Sequence, residues 1–493
     1  MSIQEETVRT VAIVGGGITG LAAAYKVQEQ ARVKGLAVRF VLIEAEEKLG
    51  GKITTHRENG FTIEGGPDCF LRQKPWGAVL ALKLGLGNAI MGTNDHQRKT
   101  YVLNRGRLAP LPDGVMLIVP TRIMPFATST LISWPGKIRM AMDLFIPRRK
   151  DDADESVGDF VRRRLGTEAL EKIAEPLLSG IHVSDPEQQS LLGTFPRFRN
   201  IEKKHGSLIK GMLAERKAAA TARKNAAAQP PAKTPQTIFL SMQNGMSQLI
   251  EAIEAKLTDG VILRGVKVLR LIRGESGGYQ LSLSNGEKID ADSVILTTPA
   301  YVSGALVESI DAQAAEMLHA IRYVSTATIS LAYRKQDICK PFMGFGFVVP
   351  KKEKRKITAC TWSSFKFNHR APEDSLLLRC FVGGPGQEHL VDLEDEVMLE
   401  MVRSELRDLL KIDAAPVITR IYRWRKANPQ YDLGHMERVK EIQTRLSQFP
   451  GLYVTGGAFE GVGIPDCIHQ GSQTAERAME IFEQMQEQLA PAA

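Results

Sequence analysis

A glycine-rich hexad, GGGITG at 15–20, constrains this chain of 493 residues more than any other feature. The apolar run VAIV at 11–14 precedes it. After it comes a helical pattern in which Leu21, Ala24, Val27 and Ala31 recur at three- or four-residue steps. A second apolar run, VRFVLI at 38–43, ends on Glu44. Strand, glycine turn, helix, strand and acid form one βαβ unit of about thirty residues that carries a dinucleotide fingerprint. Gly15 permits the tight turn, Gly17 lets backbone approach a pyrophosphate, and Gly20 lets helix and strand pack closely. The helix start supplies unpaired N–H groups and partial positive charge for the phosphates. Glu44 can accept a hydrogen bond from a ribose 2′-hydroxyl and disfavours a 2′-phosphate. The following residues, EEKLGGK at 46–52, place two more glycines directly after the acid. A second backbone approach to one cofactor fits FAD, whose adenosine half lies on the first unit while the flavin runs on into the protein.

Composition narrows the rest. An apolar content of 43% and a charged content of 24% describe a soluble globular chain, and the length suits two or three domains. The net charge of +8 suits an anionic small substrate or an anionic membrane surface. No basic module interleaved with aromatics accompanies it, so nucleic acid is not expected. The five cysteines (Cys69, Cys339, Cys360, Cys380, Cys467) form no CxxC pair. They predict neither a disulfide framework nor a metal site, and the opening MSIQEE has no secretory character. Cytoplasm is the expected compartment. The longest apolar run, 115–134, is broken by Pro120, Arg122 and Pro125 and reads as buried core or a channel wall rather than membrane contact.

The pattern predicts a discontinuous nucleotide domain over 1–112, 237–315 and 440–493. A helical lobe covers 113–213. An alanine-, lysine- and proline-rich stretch at 214–236 reads as a flexible insertion, and alternating strands over 316–439 form a mixed-sheet second domain. The fold class is therefore α/β. Near the end, glycines at 456, 457, 461 and 463 precede a helix. They bring bare backbone against something flat, and the helix start would favour the negative charge of a reduced flavin.

Five further motifs carry a resemblance: GGPDCFL at 65–71, EPLLSGI at 175–181, TFPRF at 194–198, KHGSLIKGM at 204–212 and FEGVGIPDCI at 459–468. With these the chain resembles the FAD-dependent protoporphyrinogen/coproporphyrinogen oxidases of haem synthesis, from about residue 10 to 485. Within them it is most similar to the soluble bacterial branch that forms coproporphyrin. The resemblance implies a flavin amine-oxidase-like fold in which the FAD domain is Rossmann-like and the lobe borders the substrate site. By motif, FAD would contact Gly15, Gly16, Gly17, Ile18, Thr19, Gly20, Glu44, Ala45 and Lys52. Further contacts would come from Gly66, Pro67, Asp68 and Cys69, and from Val268, Trp424, Val462, Gly463 and Ile464. No catalytic side chain is implied, because the flavin itself accepts the electrons.

The implied substrate is a reduced tetrapyrrole with several propionates, oxidised with molecular oxygen as acceptor. Lys74, Arg98 and Lys99 stand where relatives place cations for carboxylates. The implied partners are a ferrochelatase, met transiently, and a membrane surface, met weakly. Two other flavin enzymes share the fingerprint, amine oxidases and carotenoid desaturases, and a flavoprotein that only carries tetrapyrrole is the non-enzymatic alternative.

Overall fold

The computed structural model describes residues 8–116, 118–120, 122–226, 234–275, 277–338 and 343–489. The apolar runs flanking the glycine hexad become the strands Arg9–Val14 and Val38–Ile43, joined by the helix Ile18–Lys34. They lie in a five-stranded parallel sheet ordered Gly260–Leu263, Val38–Ile43, Arg9–Val14, Ser293–Leu296, Leu452–Val454. Chain from the start, middle and end thus shares one sheet. The fully buried Val11, Ile13, Leu21 and Val27 share a core with Ile468, Ala475 and Met479 of the terminal helix Ile464–Leu489. An all-parallel sheet requires such cover on both faces, which is why its strands read as unbroken apolar runs.

A seven-stranded sheet forms the second body, ordered Ile418–Pro429, Tyr323–Arg334, Ser375–Gly383, Ile357–Trp362, Gly346–Val348, Thr100–Asn104, Arg107–Pro110. One parallel pair, Gly346–Val348 with Thr100–Asn104, makes it mixed. The helix Asp395–Leu410 covers it with Met398, Val402 and Leu406. The hairpin 100–110, grouped by sequence with the nucleotide domain, is the edge of this second sheet. Its parallel partner lies about 250 residues downstream, outside any local pattern.

The lobe is helical as expected and packs around Phe160, Ile173, Phe198 and Leu208. Two features differ from the sequence reading. The helix Leu208–Ala226 carries the chain well into 214–236, because alanine, lysine and arginine are strong helix formers. Residues 227–233 lie outside the described residues, as does Cys339. In the apolar run 115–134, Ile118, Val119, Phe126, Leu131 and Ile132 are core, whereas Met124 and Trp134 are exposed at 72% and 68%. Among the described residues no helix is long and apolar enough to cross a membrane.

Candidate active site at the glycine cradle

Three glycine-bearing turns meet at the C-terminal edge of the parallel sheet. The first is the hexad. Gly15 turns at φ +109°, which an L side chain rarely adopts, and a Cβ on Gly20 would stand 1.9 Å from the Gly15 carbonyl oxygen. A Cβ on Gly17 would meet nothing within 4 Å, so that face of the turn is open. Ile18 and Thr19 are buried in the first helical turn. The 46–52 segment closes against the hexad: Gly50 N donates to Gly16 O at 2.9 Å, and Gly50 bridges Gly17. The Glu44 carboxylate is held between two amides, accepting from Gly16 N at 2.5 Å and Glu46 N at 2.9 Å. Ala45 beside it is exposed. Val266 N donates to Glu44 O, which brings the strand Val268–Arg273 to the same corner.

The second turn, 65–69, is clamped by side chains of the seven-stranded sheet. Gly65 O accepts from Thr328 Oγ1 at 2.8 Å and from Trp424 Nε1 at 2.9 Å, and Arg379 reaches the carbonyls of Gly65 and Gly66. Lys366 Nζ lies 2.8 Å from Asp68 and 3.5 Å from Cys69 Sγ. Burial pushes the Asp68 carboxyl up, but Lys366 and then Arg379 outweigh it and hold the group well below the usual carboxylate range. Burial, followed by the charge of Asp68, pushes the Cys69 thiol up to about 12. Cys69 is therefore a neutral wall rather than a nucleophile.

The third turn, 456–463, runs into the helix Ile464–Leu489. Gly461 N donates to Tyr431 Oη at 2.8 Å, and that hydroxyl donates to Gly457 O at 3.0 Å. Val462 is 37% exposed, and Gly463 O accepts from Cys467 N at 2.9 Å.

Lys52 joins the turns: its carbonyl underlies Gly66, where a Cβ would approach it to 1.7 Å, and its ammonium donates to Ala427 O. Desolvation by the surrounding protein lowers the Lys52 pKa from the ordinary lysine value. No carboxylate pairs with it among the described residues. An open glycine face and a cation with no carboxylate partner among the described residues are features that suit an anionic dinucleotide.

The glycine turns at 15–20, 50–51, 65–69 and 456–463 lie close together, whereas the basic residues have other settings than a free pocket rim. Lys74 does not stand free at a pocket mouth: its ammonium lies 2.7 and 2.6 Å from the two oxygens of Asp466, in the first turn of the terminal helix. Arg98 and Lys99 are exposed beside the hairpin, with Lys99 Nζ 3.7 Å from Met343 Sδ. Sequence reasoning missed Lys366, Arg379, Thr328 and Tyr431. None sits in a motif, and only the fold brings them to the glycine turns.

Residues 18–479 match the family model described as flavin containing amine oxidoreductase. The chain belongs to this family. It is 39% identical over 470 residues to the Coproporphyrinogen III oxidase of Bacillus subtilis (strain 168), spanning 95% of this chain and 97% of that relative. The enzyme of the same name from Staphylococcus aureus is 35% identical over 474 residues, spanning 96% and 99%. Chloroplastic Protoporphyrinogen oxidase 1 of Arabidopsis thaliana stands at 30%, spanning 94% and 86%. A crystal structure from Exiguobacterium sp. 255-15 superposes with a TM-score of 0.83 at 35% identity, covering 97% of this chain and 99% of its own. The protein is a flavin-dependent oxidoreductase of the flavin amine-oxidase-like fold, and FAD is its cofactor.

The lowered lysine has a consequence for cofactor binding. Lys52 attracts an anion only while it is protonated, so its contribution to FAD affinity should be lost as pH rises through its depressed value, below the usual lysine pKa of about 10.4. Titrating flavin-free protein with FAD across that range should show this alkaline weakening. In Lys52→Met the affinity should be lower at neutral pH and the alkaline dependence absent.

Proposed function

We propose that this enzyme oxidises coproporphyrinogen III to coproporphyrin III in haem synthesis. The observation that carries the reading is end-to-end similarity to two bacterial enzymes of that name, together with a cradle suited to FAD. Aromatisation removes six electrons and six protons from the macrocycle. FAD, when bound, takes electrons two at a time, so three rounds are required, and molecular oxygen as final acceptor would leave as hydrogen peroxide.

In this reading the hexad and Glu44 hold the adenosine and pyrophosphate, with Ala45 and Val268 beside them. Lys52 offsets cofactor charge. Pro67 and the residues around it, rigidified through Asp68–Lys366 and Arg379, form one wall for the flavin ring, with Cys69 neutral within it. Trp424, Val462, Gly463 and Ile464 form the other, where the helix start favours negative charge. The lobe 113–213 and the sheet 316–439 enclose the macrocycle. Arg98 and Lys99 attract its propionates from outside, and Lys74 would reach a propionate only by exchanging its Asp466 partner for it.

The test is the ratio of kcat/KM on coproporphyrinogen III and protoporphyrinogen IX. A ratio well above one is expected, since four propionates meet more cationic partners than two. A ratio below one would reassign the substrate to protoporphyrinogen. Lys74→Ala kinetics unchanged from the parent would remove Lys74 from the site.

The same reading places the enzyme in the cytoplasm, where the free thiols of the described Cys69, Cys360, Cys380 and Cys467 suit a reducing compartment. It also has the product pass to a ferrochelatase by transient contact. A weak membrane contact would use the face bearing Trp134, Ile138, Met142 and Phe145, the last 85% exposed, with the exposed Arg148 and Lys150 nearby. Sedimentation with anionic vesicles should retain the parent protein and release Phe145→Glu. Equal recovery of both in the supernatant would remove the contact.

A further inference from the structure

Residues 430–435 touch three parts of the molecule at once. On the lobe side, Ser190 N donates to Tyr431 O at 2.8 Å, Leu433 N donates to Gln188 O at 2.9 Å, and Gln189 bridges Asp432. On the sheet side, Arg322 grips the Asp432 carboxylate through Nε at 3.0 Å and Nη2 at 2.9 Å. Toward the cradle, the single hydroxyl of Tyr431 accepts from Gly461 N and donates to Gly457 O. The Tyr431 ring stacks on His435 at 4.1 Å between centroids and 11° between planes, and His435 Nε2 lies 3.2 Å from Phe459 O.

Buried polar atoms without a protein partner occur at both ends of this strut, His435 Nδ1 being the one on the cradle side. At the lobe, both amide atoms of Gln189 and the Oε1 of Gln430 are buried without a protein partner. Gln430 Nε2 nevertheless donates to Val183 O at 3.2 Å and Arg322 Nη2 to Gln188 Oε1 at 3.0 Å, so the lobe is tied to the strut by side chains as well as backbone. At the cradle end the Tyr431 hydroxyl is bonded twice, on a residue only 4% exposed, so loop 456–461 cannot move without breaking both bonds. Within the loop Ala458 and Phe459 are buried in the core and Gln470 Nε2 donates to Gly461 O at 3.1 Å, whereas Gly457 and Gly461 carry no side chain and meet Tyr431 through backbone alone.

We infer that Tyr431 is a positioning residue for the cofactor. Its hydroxyl fixes loop 456–461, and with it the start of the helix Ile464–Leu489, while the strut 430–435 ties that loop to the lobe and to Arg322. This rests on FAD as cofactor and not on the identity of the substrate.

Tyr431→Phe is the test, because it keeps the ring and its stack on His435 and removes only the two hydroxyl bonds. FAD affinity of the flavin-free protein, followed by quenching of flavin fluorescence, is expected to fall about tenfold. The visible flavin bands of the loaded protein should change shape. The unfolding midpoint should fall further for the FAD-loaded form than for the flavin-free form, since only the loaded form loses cofactor contacts as well as the two bonds. FAD affinity within twofold of the parent overturns the proposal. So does an equal loss of midpoint with and without FAD, which is the mark of a merely structural role. Should Tyr431→Phe not fold, Arg322→Gln loosens the strut from its far end. It is expected to weaken FAD about threefold, and unchanged affinity there overturns the proposal equally.

Discussion

Gly17→Ala is expected to fold as the parent does and to lose FAD. Gly17 has φ −70° and ψ 177°, extended backbone that alanine adopts without strain, and its Cβ would meet no atom within 4 Å. The protein alone therefore gives no reason for glycine at this position. The reason lies in the ligand: the added methyl would occupy the open face of the hexad, where backbone must approach the pyrophosphate. Separating the phosphates from the helix N–H groups weakens both hydrogen bonds and the dipole contribution, and a loss of FAD affinity on the order of 100-fold follows, about 2.7 kcal/mol. Fluorescence titration of flavin-free protein gives the affinity, and its thermal midpoint gives the control. Gly20→Ala is the contrasting variant, since its Cβ would stand 1.9 Å from Gly15 O and the fold itself must give. If Gly17→Ala binds FAD as tightly as the parent, the pyrophosphate does not lie on the hexad.

The largest stability effect is expected in the lobe. Arg164 and Asp143 are both fully buried. Arg164 Nε lies 2.6 Å from Asp143 Oδ1, and its Nη atoms donate to the carbonyls of Asp143, Ile146 and Gly206. The other Asp143 oxygen accepts from Ser207 Oγ at 2.6 Å and Ile209 N at 2.9 Å. One pair thus fastens three segments, at 143–147, 164 and 206–209. Arg164→Met leaves Asp143 charged and uncompensated in the interior, and removing one partner of such a pair costs about 3–5 kcal/mol. The double variant Arg164→Met/Asp143→Leu removes the stranded charge as well and should be less destabilised than the single one, although Ser207 and Ile209 then lose their acceptor. Urea unfolding followed by tryptophan fluorescence measures both, Trp134 lying in the same lobe. A loss below about 1 kcal/mol for Arg164→Met would show that the pair is not the fastener its geometry indicates.

Much of the site was readable because its signals are local. The hexad, the helix after it and Glu44 lie within one βαβ unit, so local spacing alone predicts that unit, and the structure contains it. The later glycine turn announced itself by composition. The alternating strands over 316–439 were legible for a similar reason, since side-chain period reports which face is buried. For 214–226 low complexity predicts a loose insertion, and the helix Leu208–Ala226 runs through that stretch, whose alanine, lysine and arginine favour helix.

What the sequence by itself determined is the presence of a nucleotide turn, its preference for a dinucleotide without a 2′-phosphate, and the family. Tertiary structure alone decided the partners of the charged groups. Lys74 meets Asp466 across 392 residues of chain, and Lys366 meets Asp68 across 298. It also gave the hairpin 100–110 to the second sheet and set Tyr431 against loop 456–461. The physical reason is range. Backbone turns and hydrophobic period are properties of a few consecutive residues. A buried charge, in contrast, is tolerated only where the packed fold supplies its counter-charge and hydrogen bonds, and no local pattern records from how far along the chain these come.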